Sequence, residues 1–309
     1  MVAEPALTPE LAEEAGVKRP LALDLFASMR QRQWTKNLVI FAGVVFAGAG
    51  RDMGDDLRAL AGFVIFCALA GGQYVLNDVV DTEADRLHPR KRFRPIASGR
   101  VAQRTGVVFG VAALVAGMAA SVTLGPWFIL NAAAYLALTL SYSFWLKHLV
   151  LVDVITIAVG FVLRATAGSA AVRVEVSAWL LVVSVFLALF LALAKRRQEL
   201  ITLTDAPLHR KSLSEFSERL LDQLLSLVGA ATLMAYALYT IESDTGATSP
   251  WLKATIPFVI FGVFRYLYLI YEKGMGGSPE EILLSDRPLQ INMALWAAVV
   301  VAILYIPTL

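Results

Sequence analysis

Charge is what this 309-residue sequence has least of: only 17% of its residues are Asp, Glu, Lys or Arg, against about 25% in soluble domains. Apolar side chains make up the deficit at 58% of the chain, with a mean hydropathy of +0.65. That balance excludes a water-soluble globular domain and points to lipid. The single cysteine, Cys67 in FVIFCALAGG, excludes a disulfide framework and a thiolate metal centre, and reads as packing. Histidine is nearly as scarce. His88, His148 and His209 are isolated from one another and read as solvated side chains rather than catalytic bases. P-loop, zinc-finger and nucleophile-elbow patterns are missing as well. The opening MVAEPALTPELAEEAG is acidic and lacks the basic and apolar regions of a cleaved signal. Residues 1–28 are therefore expected to form a cytoplasmic tail ahead of one transmembrane domain, 29–309.

What is present is a series of long apolar runs. A membrane helix needs about 20 mostly apolar residues, because in lipid each backbone N–H and C=O must find an internal partner. Such runs fall at approximately 35–50, 57–79, 104–123, 127–146, 150–171, 177–195, 221–242, 252–272 and 289–307. The expectation is an all-α polytopic membrane protein of about nine helices. Lys and Arg concentrate in alternate connections: Arg30, Arg32 and Lys36, then Arg86 to Arg104, Lys147, and Lys195 to Arg219. The intervening connections RDMGDD, GPW, RVEVS and ESDTGATSP are poor in them. Basic loops stay in the cytoplasm, so this register puts the N-terminus inside and the C-terminus outside, in a cytoplasmic membrane. The basic strips belong to a lipid-embedded protein and give no case for nucleic acid.

The second run ends in GGQYVLNDVVDTEADRLHPRKRFRPIASG. On a helix turning about 100° per residue, Asp78, Asp81 and Asp85 lie within roughly 60° of one another. Asn77 flanks them and Glu83 points elsewhere. Three carboxylates on one stripe at a membrane boundary repel unless a cation neutralises them. Mg²⁺, held by a few carboxylates with phosphate oxygens completing its shell, suits that stripe. The alternative is a solvated helix end whose acids pair with Arg86, Arg90 and Lys91. Arg90, Lys91, Arg92 and Arg94 follow at once, and carboxylates for a metal beside cations for phosphate make a diphosphate site.

Asn77-Asp78-x-x-Asp81-x-x-x-Asp85, followed by His88-Pro89, Arg94-Pro95 and Ser98-Gly99, resembles the first signature of the UbiA superfamily of intramembrane prenyltransferases. Tyr142-Ser143 and Leu146-Lys147 in YSFWLKH resemble its mid-chain element. The resemblance implies a UbiA-like bundle around a cavity open to the cytoplasm. Aromatic prenyltransferases of the family carry a second aspartate-rich motif after the sixth helix. The corresponding stretch here, ALAKRRQELITLTDAPLHRKSLSEFS, offers Lys195, Arg196, Arg197 and Glu199, with Asp205 too late to share their turn.

That departure resembles the polyprenyl-phosphate phosphoribosyltransferase branch of the family. It is carried by Arg32-Gln33-Trp34, Lys36-Asn37, Leu163-Arg164-Ala165, Ala167-Gly168, Lys195-Arg196, Glu199-Leu200 and Arg210-Lys211-Ser212-Leu213. In that branch the donor is phosphoribosyl diphosphate and the acceptor a polyprenyl (decaprenyl) phosphate in the bilayer. The product is an envelope-arabinan precursor. The expected roles follow. Asp78, Asp81 and Asp85, with Asn77, hold Mg²⁺ on the departing diphosphate. Lys36, Lys91, Arg94, Lys147, Arg164, Lys195 and Arg196 hold phosphates, with Lys147 also acting in catalysis. Arg32, Gln33, Asn37, Arg92, Tyr142 and Glu199 complete the substrate contacts, Glu199 either orienting a basic neighbour or binding ribose hydroxyls. The nucleophile is a phosphate oxygen already ionised near neutral pH, so no general base is required. Two other functions share parts of this pattern: prenyl transfer from an allylic diphosphate to an aromatic acceptor, and transport.

Arg164 lies inside an apolar span and is a functional residue by default, since its desolvation must be compensated. Pairing with a first-motif aspartate is the alternative reading. Arg265 is expected to snorkel or to line the cavity. Phe261, Phe264, Tyr266, Tyr268 and Tyr271 are expected to face lipid or the interface. Gly106 and Gly110 are expected to let two helices approach closely.

Overall fold

A computed structural model describes residues 19–46, 53–88, 91–175, 177–202, 215–275 and 279–305. Pro89, Arg90, Asp205, His209, Arg210, Lys211, Ser212, Leu213 and residues 1–18 of the expected tail lie outside the described residues. Among the described residues every regular element is helical. The long helices are α1 Met53–Val80, α2 Gln103–Ser121, α3 Pro126–Phe144, α4 Val152–Val172, α5 Ala178–Thr202, α6 Glu218–Glu242, α7 Ile256–Tyr271 and α8 Arg287–Tyr305. A 3-10 turn at Pro250–Thr255 extends α7 at its start. Among the described residues these give 8 stretches long and apolar enough to cross a membrane, close to the expected nine.

The difference is the first expected span, 35–50. Its beginning is a 3-10 helix, Gln31–Phe41, followed by a short α-helix, Ala42–Phe46. Gln31, Arg32, Gln33, Thr35, Lys36 and Asn37 crowd polar groups into its opening turns, and residues 47–50 of that run lie outside the described residues.

The chain forms two compact units. The first comprises the described part of Met1–Thr35 together with Val64–Ala120. In it, Met29, Val75, Ile96 and Val101 make a buried cluster, and the second half of α1 packs on α2 through glycine. A Cβ on Gly72 would stand 2.8 Å from the Gly110 carbonyl oxygen, and one on Gly110 would stand 2.9 Å from Leu76. The small face at Gly106 and Gly110 thus permits a close helix crossing, as expected.

The second unit comprises Lys36–Phe63 and Ser121–Leu309. Here α3, α4, α5 and α6 pack in sequence order, α7 packs on α6, and α8 on α7. Ser217 caps α6 by accepting from the Leu220 N–H at 3.2 Å. Asp286 caps α8 by accepting from the Leu289 N–H at 2.9 Å, and receives Arg265 at 3.2 and 2.8 Å. Arg265 therefore ties α7 to the start of α8 instead of snorkelling, and its guanidinium holds the Asp286 carboxyl below the usual range. Phe261, Phe264, Tyr268 and Tyr271 are exposed on the apolar outer surface, as expected, but Tyr266 is buried with its ring 5.5 Å from Phe190. Cys67 is buried in α1, in keeping with a packing role.

Candidate functional site

The acidic motif straddles a helix interruption. Asn77 and Asp78 close α1, Asp81 stands between helices, and Thr82–Leu87 forms the next. The helical path nevertheless continues, because Asp81 N–H bonds the Asn77 carbonyl at 2.8 Å and Asp85 N–H bonds the Asp81 carbonyl at 2.8 Å. Residues on one helical stripe therefore stay on one side. Both Asp78 and Asp85 are buried, and both accept from Arg94 Nη1, at 3.1 and 2.5 Å. Arg30 also bonds Asp78 and lies over the Tyr74 ring, 4.9 Å from its centroid. Its backbone is left-handed, with φ 53°, a conformation uncommon in residues other than glycine. Lys91 Nζ stands 4.0 Å from Asp85. Partial burial and the neighbouring Arg94 guanidinium push the Lys91 ammonium below its ordinary pKa. Asp81 is half-buried, and among the described residues no side chain donates a hydrogen bond to it. Glu83 is turned away and pairs with Arg86 at 2.8 Å.

The donor set consists of hard oxygens. Two carboxylates converge on a single cation position, filled here by the Arg94 nitrogen. Among the described residues no group of three or more Asp, Glu, His or Cys closes into a metal cage. Mg²⁺ is commonly held by one or two carboxylates with substrate phosphates and water completing its octahedron, so the pair fits that ion.

Two further polar centres lie in the second unit. Arg164, buried within α4, donates to Asn37 Oδ1 at 2.8 Å, to the Gly160 carbonyl at 3.0 Å and to the Tyr135 hydroxyl at 2.7 Å. Its guanidinium also stacks over Tyr135, 4.5 Å from the ring centroid. Its partners are neutral groups and not the aspartate of the alternative reading, and among the described residues no carboxylate pairs with it. Arg196, at the end of α5, is buried between Asp153 at 2.7 Å and Glu199 at 2.5 Å, with the Tyr142 hydroxyl at 3.3 Å.

Asn37 and Arg164 are thus brought together, as are Tyr142, Arg196 and Glu199, and Asp78, Asp85, Lys91 and Arg94. Arg32 is exposed on its 3-10 helix, and Arg92 is exposed and lies over Phe93. Gln33, Lys36, Lys147 and Lys195 are half-buried. Sequence reasoning missed Arg30, Tyr135 and Asp153. Asp153 was detectable as an acid at the mouth of an apolar span. Arg30 had entered only as an orientation charge, and Tyr135 carries no local signal.

Among the described residues, eight helices long and apolar enough to cross a membrane, with oxygen donors and arginines gathered at the end of one of them, define a polytopic membrane protein. The chain belongs to the UbiA prenyltransferase family, which it matches over residues 38–273, through both compact units. It is similar to the decaprenyl-phosphate phosphoribosyltransferase of Mycolicibacterium smegmatis, at 36% identity over 97% of this chain and 98% of that protein. The protein of the same name from Corynebacterium glutamicum is 35% identical over 93% of this chain and 88% of its own length. In fold it is like a UbiA homolog from Archaeoglobus fulgidus solved bound to GPP and Mg²⁺, with a TM-score of 0.70 and 20% identity over 91% of this chain and 99% of that one.

Proposed function

We propose that the protein is a membrane phosphoribosyltransferase that moves 5-phosphoribose from phosphoribosyl diphosphate to a polyprenyl phosphate and releases diphosphate, supplying a precursor of envelope arabinan. The observation that carries this reading is similarity at 35–36% identity over 93–97% of the chain to enzymes named for that acceptor and transfer. A phosphate oxygen of the acceptor forms a bond to ribose C1. The C1–O bond to diphosphate breaks, its electron pair departs with the diphosphate, and C1 inverts.

Asp78, Asp81 and Asp85, with Asn77, are the residues assigned to Mg²⁺, which supplies charge neutralisation for the leaving diphosphate. Arg94 and Lys91 stand beside those carboxylates as cations that can turn to phosphate oxygens. Arg30 joins them on its contact with Asp78. Arg164 suits a phosphate because its charge, inside a span, is surrounded by neutral groups. Arg32, Gln33, Lys36, Asn37, Arg92, Tyr142, Lys147 and Lys195 retain their assignment to substrate binding, Lys147 with its catalytic role. Residues 29–309 act as one transferase domain behind a tail of 1–28, in a cytoplasmic membrane with the active site facing the cytoplasm.

The test is a two-donor assay on one detergent preparation with Mg²⁺. With decaprenyl phosphate present, phosphoribosyl diphosphate should yield diphosphate and a phosphoribosylated lipid. The solved UbiA homolog from Archaeoglobus fulgidus was bound to GPP, so the competing arm pairs geranyl diphosphate with an aromatic acid. Product in that arm, with phosphoribosyl diphosphate inert, makes the protein a prenyltransferase instead.

A further inference from the structure

Among the described residues Arg196 is the largest fully buried side chain, and its guanidinium is engaged at each nitrogen. Nε donates to Asp153 Oδ2 at 2.7 Å, Nη1 to Glu199 Oε2 at 2.5 Å, and Nη2 to the Tyr142 hydroxyl at 3.3 Å. Asp153 is itself fixed, since its other oxygen accepts from the Val154 N–H at 2.7 Å. Two carboxylates already surround this one guanidinium, in a setting where a third anion would have to displace one of them. Arg196 is therefore poorly suited to gripping phosphate.

Exposure within the group is uneven. Asp153 is 0% and Arg196 2% exposed, whereas Glu199 is 25% exposed. Glu199 is the member that meets solvent, and a carboxylate offers about four acceptor directions, so its exposed side can take hydroxyl donors. Lys195 stands one turn before it on the same helical face, which places an acceptor and a cation side by side. A prenyl chain has no group for that acceptor. A sugar phosphate has both a vicinal diol and an anion.

Resting on the phosphoribosyl reading, we propose that Glu199 accepts hydrogen bonds from the ribose hydroxyls of the donor, and that Arg196, anchored on Asp153 and Tyr142, is the positioning residue that aims it. The network then selects the sugar and takes no part in holding diphosphate.

The test compares wild type, Glu199→Ala and Arg196→Lys. Each is assayed with phosphoribosyl diphosphate and with its 2-deoxy and 3-deoxy counterparts, and each is assayed for inhibition by inorganic diphosphate. Differences in intrinsic donor reactivity cancel, because each donor is compared only across enzymes. A lost hydrogen bond to a charged group corresponds to about a 10- to 100-fold fall in kcat/KM. That fall is expected in both variants with the ribosyl donor and should be absent with whichever deoxy donor lacks the recognised hydroxyl. The inhibition constant for diphosphate should stay unchanged, which also reports an intact fold. If Glu199→Ala loses that inhibition through misfolding, Glu199→Gln replaces it, with a smaller but equally donor-selective fall.

An equal fall with all three donors overturns the proposal, and so does weakened diphosphate inhibition in a folded Arg196→Lys. Wild type inert to all three donors but active on geranyl diphosphate overturns the phosphoribosyl reading and this inference with it. Turnover of the ribosyl donor with unselective variants overturns the inference alone.

Discussion

Asp78 and Asp81 lie within one turn of each other, yet their surroundings differ. Asp78 is buried and bonded to both Arg30 and Arg94, while Asp81 is half-buried and receives no side-chain hydrogen bond among the described residues. Replacing Asp78 by Asn takes the paired carboxylate from Arg30 and leaves Arg94 with Asp85 alone. Because those arginines are 29% and 25% exposed, the expected loss is about 1–3 kcal/mol, below the range for a fully buried pair. Asp81→Asn should leave stability within about 0.5 kcal/mol. It should nevertheless lower Mg²⁺-dependent turnover by roughly 10²- to 10³-fold, the scale of losing one preorganised electrostatic contact. Thermal unfolding in metal-free detergent, alongside a Mg²⁺ titration of turnover, separates the two effects. Unchanged turnover in Asp81→Asn counts against its metal role. The carboxylate stripe was legible because helix geometry relates residues three and four apart. The fate of the arginines was not: Arg196 meets Asp153 across 43 positions and Arg164 meets Tyr135 across 29, separations at which local periodicity carries no information.

Among the elements, the segment Gln31–Phe46 and helix α4 show where hydropathy succeeds and where it fails. The long apolar helices were readable because lipid imposes a minimum length on each of them. The 3-10 geometry of Gln31–Phe41 was not, since it depends on what that segment packs against. Part of that packing is an unusually close approach to α4, where a Cβ built on Gly168 would stand 2.0 Å from the Ile40 carbonyl oxygen. No rotamer change relieves a clash with backbone, so Gly168→Ala must push the segment away from α4 and disturb the Asn37 contact to Arg164. A loss of about 1–3 kcal/mol is expected. Gly160→Ala, about two turns earlier in α4, meets only Arg164 Nη1 at 3.5 Å, an ordinary contact, and removes the entropy penalty of a mid-helix glycine. It should be neutral or stabilising by up to about 1 kcal/mol. Thermal unfolding of the two variants in the same detergent checks the contrast, and equal stability would mean the segment does not sit tightly in that groove.

At the scale of the whole molecule, membrane orientation rests on the asymmetry of Lys and Arg among the connections. The connection between α3 and α4 carries Lys147 and His148, and the one from α5 to α6 carries Arg210 and Lys211 after Lys195, Arg196 and Arg197 near the end of α5, whereas Lys253 is the sole such residue in the connection between α6 and α7. Because α4, α5 and α6 each cross once, His148 and Lys253 must lie on opposite sides if all three span. Both side chains are exposed, so both sites can report. Cys67 is buried, and Cys67→Ala removes the one native thiol from the background. In that background, His148→Cys should resist a membrane-impermeant maleimide in intact cells and react in inverted vesicles, while Lys253→Cys should do the reverse. The positive-inside rule sets the sign of that prediction. Labelling of His148→Cys in intact cells would turn the protein over and put the α3–α4 connection outside. Equal labelling of both positions from one side would instead mean that one of the three helices between them fails to cross.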